Sequence, residues 1–85
     1  MKLQLLFFAS LREALACDRE VVEVPASVTT VGELRHWLCD RGGVWAEALA
    51  EGRPVRAALD QAMVGAHAAL HEGAEVAFFP PVTGG

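Results

Sequence analysis

The sequence predicts an α+β roll, in which a mixed β-sheet of about five strands packs on one main helix. Two observations lead to this fold class. Short segments near both ends of the chain alternate side chains with the two-residue period of a strand. Between them, residues 30–43 place apolar side chains at helical spacing. With 85 residues and 53% hydrophobic side chains, the chain is expected to form one ordered globular domain.

The first strand is predicted at residues 3–8. One face of it is expected to point toward the helix and consists of Leu3, Leu5 and Phe7. The other face carries Gln4, Leu6 and Phe8, so two large apolar side chains point away from the core. This second apolar face is unusual for a sheet that borders water, and it requires an explanation.

A short helix and a second strand are predicted next. Ser10 and Glu13 have the spacing of a capping box for a helix that continues to Ala16. Residues 20–24 alternate as a strand that ends before Pro25. The predicted hairpin is therefore interrupted by a helix.

The main helix is predicted to begin at a second capping box. Thr30 is the N-cap residue and Glu33 lies three positions later. Its apolar face consists of Val31, Leu34, Trp37 and Leu38, with His36 on the exposed side. Gly42 and Gly43 are expected to end the helix.

The second half of the chain contains shorter predicted elements. They are a helix at 45–50 and strands at 55–59, 62–64 and 74–79. Pro54 ends the helix, Asp60 and Gln61 form a turn, and Glu72 and Gly73 form another.

This order of elements predicts the β-grasp, or ubiquitin-like, arrangement, with the first and last strands parallel at the centre of the sheet. Residues 1–79 are expected to form the domain, and residues 80–85 are expected to project from one end of the sheet as an extended tail.

The tail predicts a specific chemical use. Pro80 and Pro81 favour an extended segment, which continues through Val82 and Thr83. The final residues, Gly84 and Gly85, lack a Cβ and can enter a narrow channel. The group presented is then the carboxylate of Gly85, which becomes an acyl donor once ATP converts one of its oxygens to a leaving group.

Composition and scattered polar residues argue against other classes. A net charge of −4 without a basic block argues against nucleic-acid binding. No apolar run is long enough for a membrane span. Cys17 and Cys39 fit no metal-ligand pattern, which favours a cytoplasmic protein. His67 and His71 lack a third ligand, so no metal or bound cofactor is expected, and no group of side chains suggests catalysis.

Four segments resemble the small subunits of molybdopterin synthases, which are ubiquitin-like sulfur carriers. They are LLFFASLRE at 5–13, WAEALAEG at 45–52, DQAMV at 60–64 and HEGAEVAFFPPVTGG at 71–85. The ending EVAFFPPVTGG is the most specific of them. Asp60 departs from the asparagine usual in that family, which puts any amide-specific contact there in doubt.

The resemblance implies a carrier without catalytic side chains of its own. An E1-like adenylyltransferase would use ATP to adenylate Gly85, and a sulfurtransferase would supply the sulfur for a thiocarboxylate. In a heterotetramer with the large catalytic subunit, the carrier would donate this sulfur to cyclic pyranopterin monophosphate, which forms the dithiolene of molybdopterin.

The resemblance also gives the outward apolar face a role. Phe8, Met63 and Phe79 match family positions that contact partner enzymes, and Leu6 is expected to join them. Two alternatives stay open: a sulfur carrier for another pathway, such as thiamine thiazole synthesis, and a ubiquitin-like binding module or modifier.

Overall fold

The structure is a computed structural model that describes residues 1–81, and it has the predicted β-grasp arrangement. The chain forms, in order, β1 (Lys2–Phe7), α1 (Ala9–Leu15), β2 (Arg19–Glu23), α2 (Val31–Cys39), α3 (Gly43–Ala48), β3 (Arg56–Leu59), β4 (Ala62–Val64) and β5 (Glu75–Phe79). The five strands make one sheet in the order β2-β1-β5-β3-β4. The predicted strands match these bounds to within one residue.

The first and last strands are neighbours at the centre of the sheet, as predicted. β1 and β5 run parallel, with Leu5 opposite Val76 and Phe7 opposite Phe78. β2 and β3 flank this pair in antiparallel register. Hydrogen-bonded on both sides, β5 is held more firmly than an edge strand would be.

The inner face of the sheet forms the core with the helices. Phe7 and Phe78 are each 1% exposed, and their rings stack with centroids 6.1 Å apart. Trp45 of α3 packs edge-on against Phe7 at 5.4 Å. Aromatic pairs at these distances stabilise a core beyond the area that they bury.

The capping box of the main helix is confirmed. The Thr30 hydroxyl accepts a hydrogen bond from the Glu33 amide at 3.2 Å, and the Thr30 amide donates to Glu33 Oε1 at 3.1 Å. Leu34 and Leu38 are fully buried on the inner face of α2, whereas Trp37 is only partly buried. His36 is exposed, as predicted.

The capping box predicted at Ser10 is wrong. α1 begins at Ala9, and its N-cap residue is Phe8, which makes no side-chain capping bond. The Phe8 amide donates to the Phe78 carbonyl oxygen at 3.2 Å, and the Phe8 carbonyl oxygen accepts from the Arg12 amide at 3.3 Å. The chain therefore passes from strand to helix at Phe8, and Ser10 lies inside the first turn.

The short connections require unusual backbone angles. Asp60 and Gln61 have φ angles of 48° and 72°, which suits the two-residue hairpin between β3 and β4. Gly42, between α2 and α3, and Gly43, the first residue of α3, have φ angles of 76° and 55°. α3 begins two residues earlier than predicted, at Gly43, with Gly42 as its N-cap residue.

Among residues 1–81, none of the helices has the length and apolar character needed to cross a membrane.

Candidate functional site

The outer face of the sheet carries a continuous apolar row. Leu6 of β1 lies opposite Ala77 of β5, Ala77 lies opposite Ala58 of β3, and Ala58 lies opposite Met63 of β4. This row thus crosses β1, β5, β3 and β4, which are four of the five strands. Met63 is 61% exposed, so the β4 end of the row is open to solvent.

Two phenylalanines extend this row toward the end of the sheet where the tail begins. Phe8 follows β1 and is 45% exposed, and Phe79 ends β5 and is partly buried. We call Leu6, Phe8, Ala58, Met63, Ala77 and Phe79 together the outer apolar surface.

The middle of this surface is concave. A shallow depression of ≈ 580 Å³ has mostly apolar walls. It is lined by Leu6, Phe8, Ala9, Ala58, Gln61, Glu75, Ala77, Phe79 and Pro80. Three of the four predicted partner-binding residues, Leu6, Phe8 and Phe79, line this depression, and Met63 lies beside it on β4. A depression of this shape suits an apolar projection on another protein.

The tail leaves directly from this surface. Pro80 follows the last residue of the central strand and also borders the depression. Pro80 and Pro81 are both partly buried. The remaining predicted tail residues, Val82, Thr83, Gly84 and Gly85, lie outside the described residues.

Asp60 and His71 form a contact that the sequence did not predict. One Asp60 carboxylate oxygen accepts a hydrogen bond from the Glu75 amide at 3.0 Å, and the other lies 2.6 Å from His71 Nε2. His71 Nδ1 lies 3.1 Å from the Glu72 carbonyl oxygen. A carboxylate at position 60 thus connects the β3–β4 turn to the start of β5.

These contacts shift the pKa values of both Asp60 and His71. The Glu75 amide and then His71 lower the pKa of the Asp60 carboxyl below its ordinary value of 3.8. Asp60, and then the Glu72 carbonyl oxygen, raise the pKa of His71 above 6.5. An imidazolium satisfies both acceptors at once, so the charged form of His71 is favoured.

A second unpredicted cluster lies on the inner side of the sheet. The Arg41 guanidinium forms a two-pronged ion pair with Glu20, with distances of 2.9 and 2.7 Å. It also lies 5.6 Å from the ring centre of Trp37 and 4.5 Å from that of Trp45. This cluster connects β2 to the two helices, which gives it a structural role.

The two cysteines do not form a disulfide. Burial is the main cause that raises the pKa of both the Cys17 and the Cys39 thiols. Cys39 Sγ also donates a hydrogen bond to the Leu49 carbonyl oxygen at 3.1 Å. Raised pKa values keep the thiols protonated and weakly nucleophilic, so a role in relaying sulfur gains no support.

Within residues 1–81, no group of three or more histidine, cysteine or acidic side chains is arranged to hold a metal ion. The described surface presents an apolar contact area and the base of a tail. It can position another molecule.

Comparison with known proteins assigns the family. The model of the ThiS family matches residues 5–85, which is nearly the whole chain. The chain belongs to the ThiS family. This match includes the tail residues as well as the β-grasp domain.

Two relatives match the ThiS-family chain over almost their full length. It is 43% identical over 83 residues to the molybdopterin synthase sulfur carrier subunit of Escherichia coli (strain K12), covering 98% of this chain and 99% of that protein. It is 37% identical, with the same coverage, to the sulfur carrier subunit of Haemophilus influenzae. The resemblance to molybdopterin synthase small subunits is thereby confirmed.

A solved structure supports the fold independently. The HVO 2177 protein of Haloferax volcanii superposes with a TM-score of 0.80 at 31% identity, over 100% of this chain and 87% of that one. The β-grasp prediction is therefore confirmed by strand order and by structural similarity.

Proposed function

We propose that this protein is the sulfur-carrier subunit of a molybdopterin synthase and that Gly85 carries the sulfur as a thiocarboxylate. The observation that carries the proposal is the continuity of the outer apolar surface with the tail. Phe79 ends the central strand within that surface, and Pro80 begins the tail at its border. Full-length similarity to two sulfur carrier subunits supports the same conclusion.

The chemistry begins with the carboxylate of Gly85, which is a poor electrophile. Attack of one carboxylate oxygen on the α-phosphorus of ATP forms a mixed anhydride with AMP and releases pyrophosphate. A persulfide sulfur from a sulfurtransferase then attacks the carbonyl carbon and displaces AMP. Reductive cleavage of the resulting acyl disulfide by a thiol leaves the thiocarboxylate. ATP serves the activating enzyme, and the carrier itself binds no cofactor in this scheme.

Glycine suits the terminal position for steric reasons. A residue without Cβ leaves both faces of the carbonyl open to the attacking group. The same property lets Gly84 and Gly85 enter a channel in the large subunit that a side chain would block. Pro80 and Pro81 already restrict the tail in the free chain, so the tail loses less conformational entropy when it enters the channel.

The outer apolar surface would supply the binding energy for docking. Apolar side chains that are exposed in the free chain lose water when a partner covers them. Because β5 is hydrogen-bonded on both sides, its position in the sheet is fixed. A partner that binds this surface is therefore also held at a fixed position relative to the start of the tail. We propose the large catalytic subunit as this partner, and the E1-like adenylyltransferase as a second one. The docked assembly would be a heterotetramer of two carriers and two large subunits.

The test is reconstitution with the activating enzyme, ATP, a sulfurtransferase and a sulfur source. Intact mass should show one oxygen replaced by one sulfur, and mixing with the large subunit and cyclic pyranopterin monophosphate should reverse the change as molybdopterin forms. A variant that lacks Gly85 keeps the whole outer apolar surface, so it should dock and fail to transfer sulfur.

The outcome also separates the alternatives. Molybdopterin formation by the variant that lacks Gly85 would refute the proposal. Sulfur transfer to a thiazole precursor, with none to the pterin, would assign the carrier to another pathway. Isopeptide bonds to lysines of other proteins would instead show a modifier.

A further inference from the structure

Charged side chains are distributed unevenly on the outer face of the sheet. Near the tail, Arg19 of β2 lies opposite Leu6, and Arg56 of β3 lies opposite Phe79. At the far end the strands carry Lys2 opposite Glu23, together with Glu75. Among the strand residues of this face, the half nearest the tail therefore has two arginines and no carboxylate, although the whole chain has a net charge of −4.

Strand alternation shows that both arginines belong to this face. Val22 of β2 and Ala57 of β3 are buried on the inner face. The odd-numbered residues of β2 and the even-numbered residues of β3 therefore point outward. Arg19 and Arg56 are both exposed. They stand beside the outer apolar surface and are not part of the core.

The other charges of the described chain do not neutralise them. The ion pairs within residues 1–81 are the N-terminus with Glu23, Glu20 with Arg41, Asp60 with His71 and Asp40 with His36. Arg19 and Arg56 take part in none of these pairs. With respect to residues 1–81, their guanidinium groups are therefore available to an external carboxylate.

The two arginines flank the central strand pair. They lie on β2 and β3, which are separated by β1 and β5 in the sheet. Three strand spacings of about 4.8 Å, with a stagger of two residues along the strands, place the two backbone positions about 16 Å apart. A protein surface that covers β1 and β5 can contact both arginines.

We propose that Arg19 and Arg56 orient the docked partner by pairing with carboxylates on both sides of the apolar contact. The inference rests on the proposed function, because it takes the large subunit as the occupant of the outer apolar surface. The partner surface is then an apolar projection between two acidic side chains. Apolar burial is non-directional, so it favours contact without selecting one orientation. Two separated charges favour the orientation that directs the tail into the active site of the partner.

The test compares variants that change net charge equally. Arg19→Gln and Arg56→Gln each lower the net charge by one unit. Ala46→Glu does the same from α3, which packs on the opposite side of the sheet. Dissociation constants and association rates for the purified large subunit are measured at roughly 50 mM and roughly 500 mM salt, where screening differs strongly.

At low salt each arginine variant should bind about two- to five-fold more weakly, as is typical when one exposed ion pair is lost. The double variant should lose about four- to 25-fold, the product of the two single losses, mainly through slower association. High salt should remove most of these differences, Ala46→Glu should bind within about two-fold of wild type, and Arg56→Lys should retain most of the affinity.

Several results would overturn the inference. Equal effects of Arg56→Gln and Ala46→Glu would show that only net charge matters, and losses that persist at high salt would show that ion pairing is not the cause. If Phe79→Arg weakens binding while neither arginine variant does, docking is correct and the charge inference fails. If wild type does not bind the large subunit, the proposed function fails, and the inference fails with it.

Discussion

Phe78 and Phe79 are adjacent residues on opposite faces of the central strand, so the same substitution should have different effects at each. Phe78 is 1% exposed and stacks on Phe7, whereas Phe79 is partly buried on the outer face. Phe78→Ala removes a fully buried ring and leaves a cavity, which should lower the free energy of unfolding by about 3–5 kcal/mol. Phe79→Ala should cost about 1–2 kcal/mol, because the side chain is only partly buried and borders an open depression, so its removal leaves no enclosed cavity.

The measurement is urea denaturation and thermal melting of both variants beside wild type. In a domain of this size, 1 kcal/mol shifts the melting temperature by about 4–8 °C, so Phe78→Ala should lower it by more than about 12 °C. Binding to the large subunit should show the reverse order, with Phe79→Ala much weaker and folded Phe78→Ala near wild type.

The matched pair tests the register directly. Equal losses of stability would mean that Phe79 also lies in the core, and a larger loss for Phe79→Ala would mean that β5 is shifted by one residue. Either result would refute both the inner-face assignment and the outer apolar surface built on it.

Other changes should affect the cap, the pH response and the tail separately. Thr30→Ala removes a capping box and should lower the free energy of unfolding by about 1 kcal/mol, measured in urea. The pKa of His71 is raised in the folded state. Its contribution to the free energy of unfolding is therefore complete below about pH 6.5 and is lost as the pH rises through the folded-state pKa. His71→Gln should therefore flatten the fall in melting temperature as pH rises above about 6.5, and an unchanged slope would refute the Asp60–His71 pair. Gly84→Val should leave docking intact and impair sulfur transfer, as seen by intact mass, and full transfer would argue against a narrow channel.

The strands and the face of each side chain could be predicted because strand alternation is a local property. Side chains two positions apart in β1 or β5 share a face wherever the strand lies in the sheet. Burial of Phe78 and exposure of Phe8 follow from this period. Pairing of β1 with β5 joins opposite ends of the chain, and it could be predicted only because few small folds fit the order of elements.

The Ser10 capping box was wrong for a non-local reason. Its spacing to Glu13 is the same as that from Thr30 to Glu33, so the sequence pattern does not distinguish them. What differs is the chain before each helix. Thr30 follows a loop, whereas β1 ends one residue before Phe8, whose amide is bound to β5. The strand therefore determines where α1 begins, and Ser10 cannot take the N-cap conformation.

The charged contacts could not be predicted because they join residues far apart in sequence. Asp60 and His71 are separated by 11 positions, and Glu20 and Arg41 by 21. The charge of each side chain can be read from the sequence, but its partner depends on the tertiary structure. Asp60 and His71 meet because two turns lie side by side, and Glu20 and Arg41 meet because β2 lies beside the segment that follows α2. In the Asp60 contact the carboxylate accepts a hydrogen bond from the Glu75 amide. The side-chain oxygen of an asparagine can accept the same bond, so an aspartate in place of asparagine at this position preserves it.

The central position of β5 connects stability to function. Its inner residues, Val76 and Phe78, are buried in the core, while its outer residues, Ala77 and Phe79, belong to the outer apolar surface. A partner that covers the outer face therefore binds a strand whose position the core already fixes. Because Pro80 follows this strand directly, the start of the tail is placed relative to the partner as soon as docking occurs. An edge strand such as β4, paired on one side only, could not fix the tail equally well.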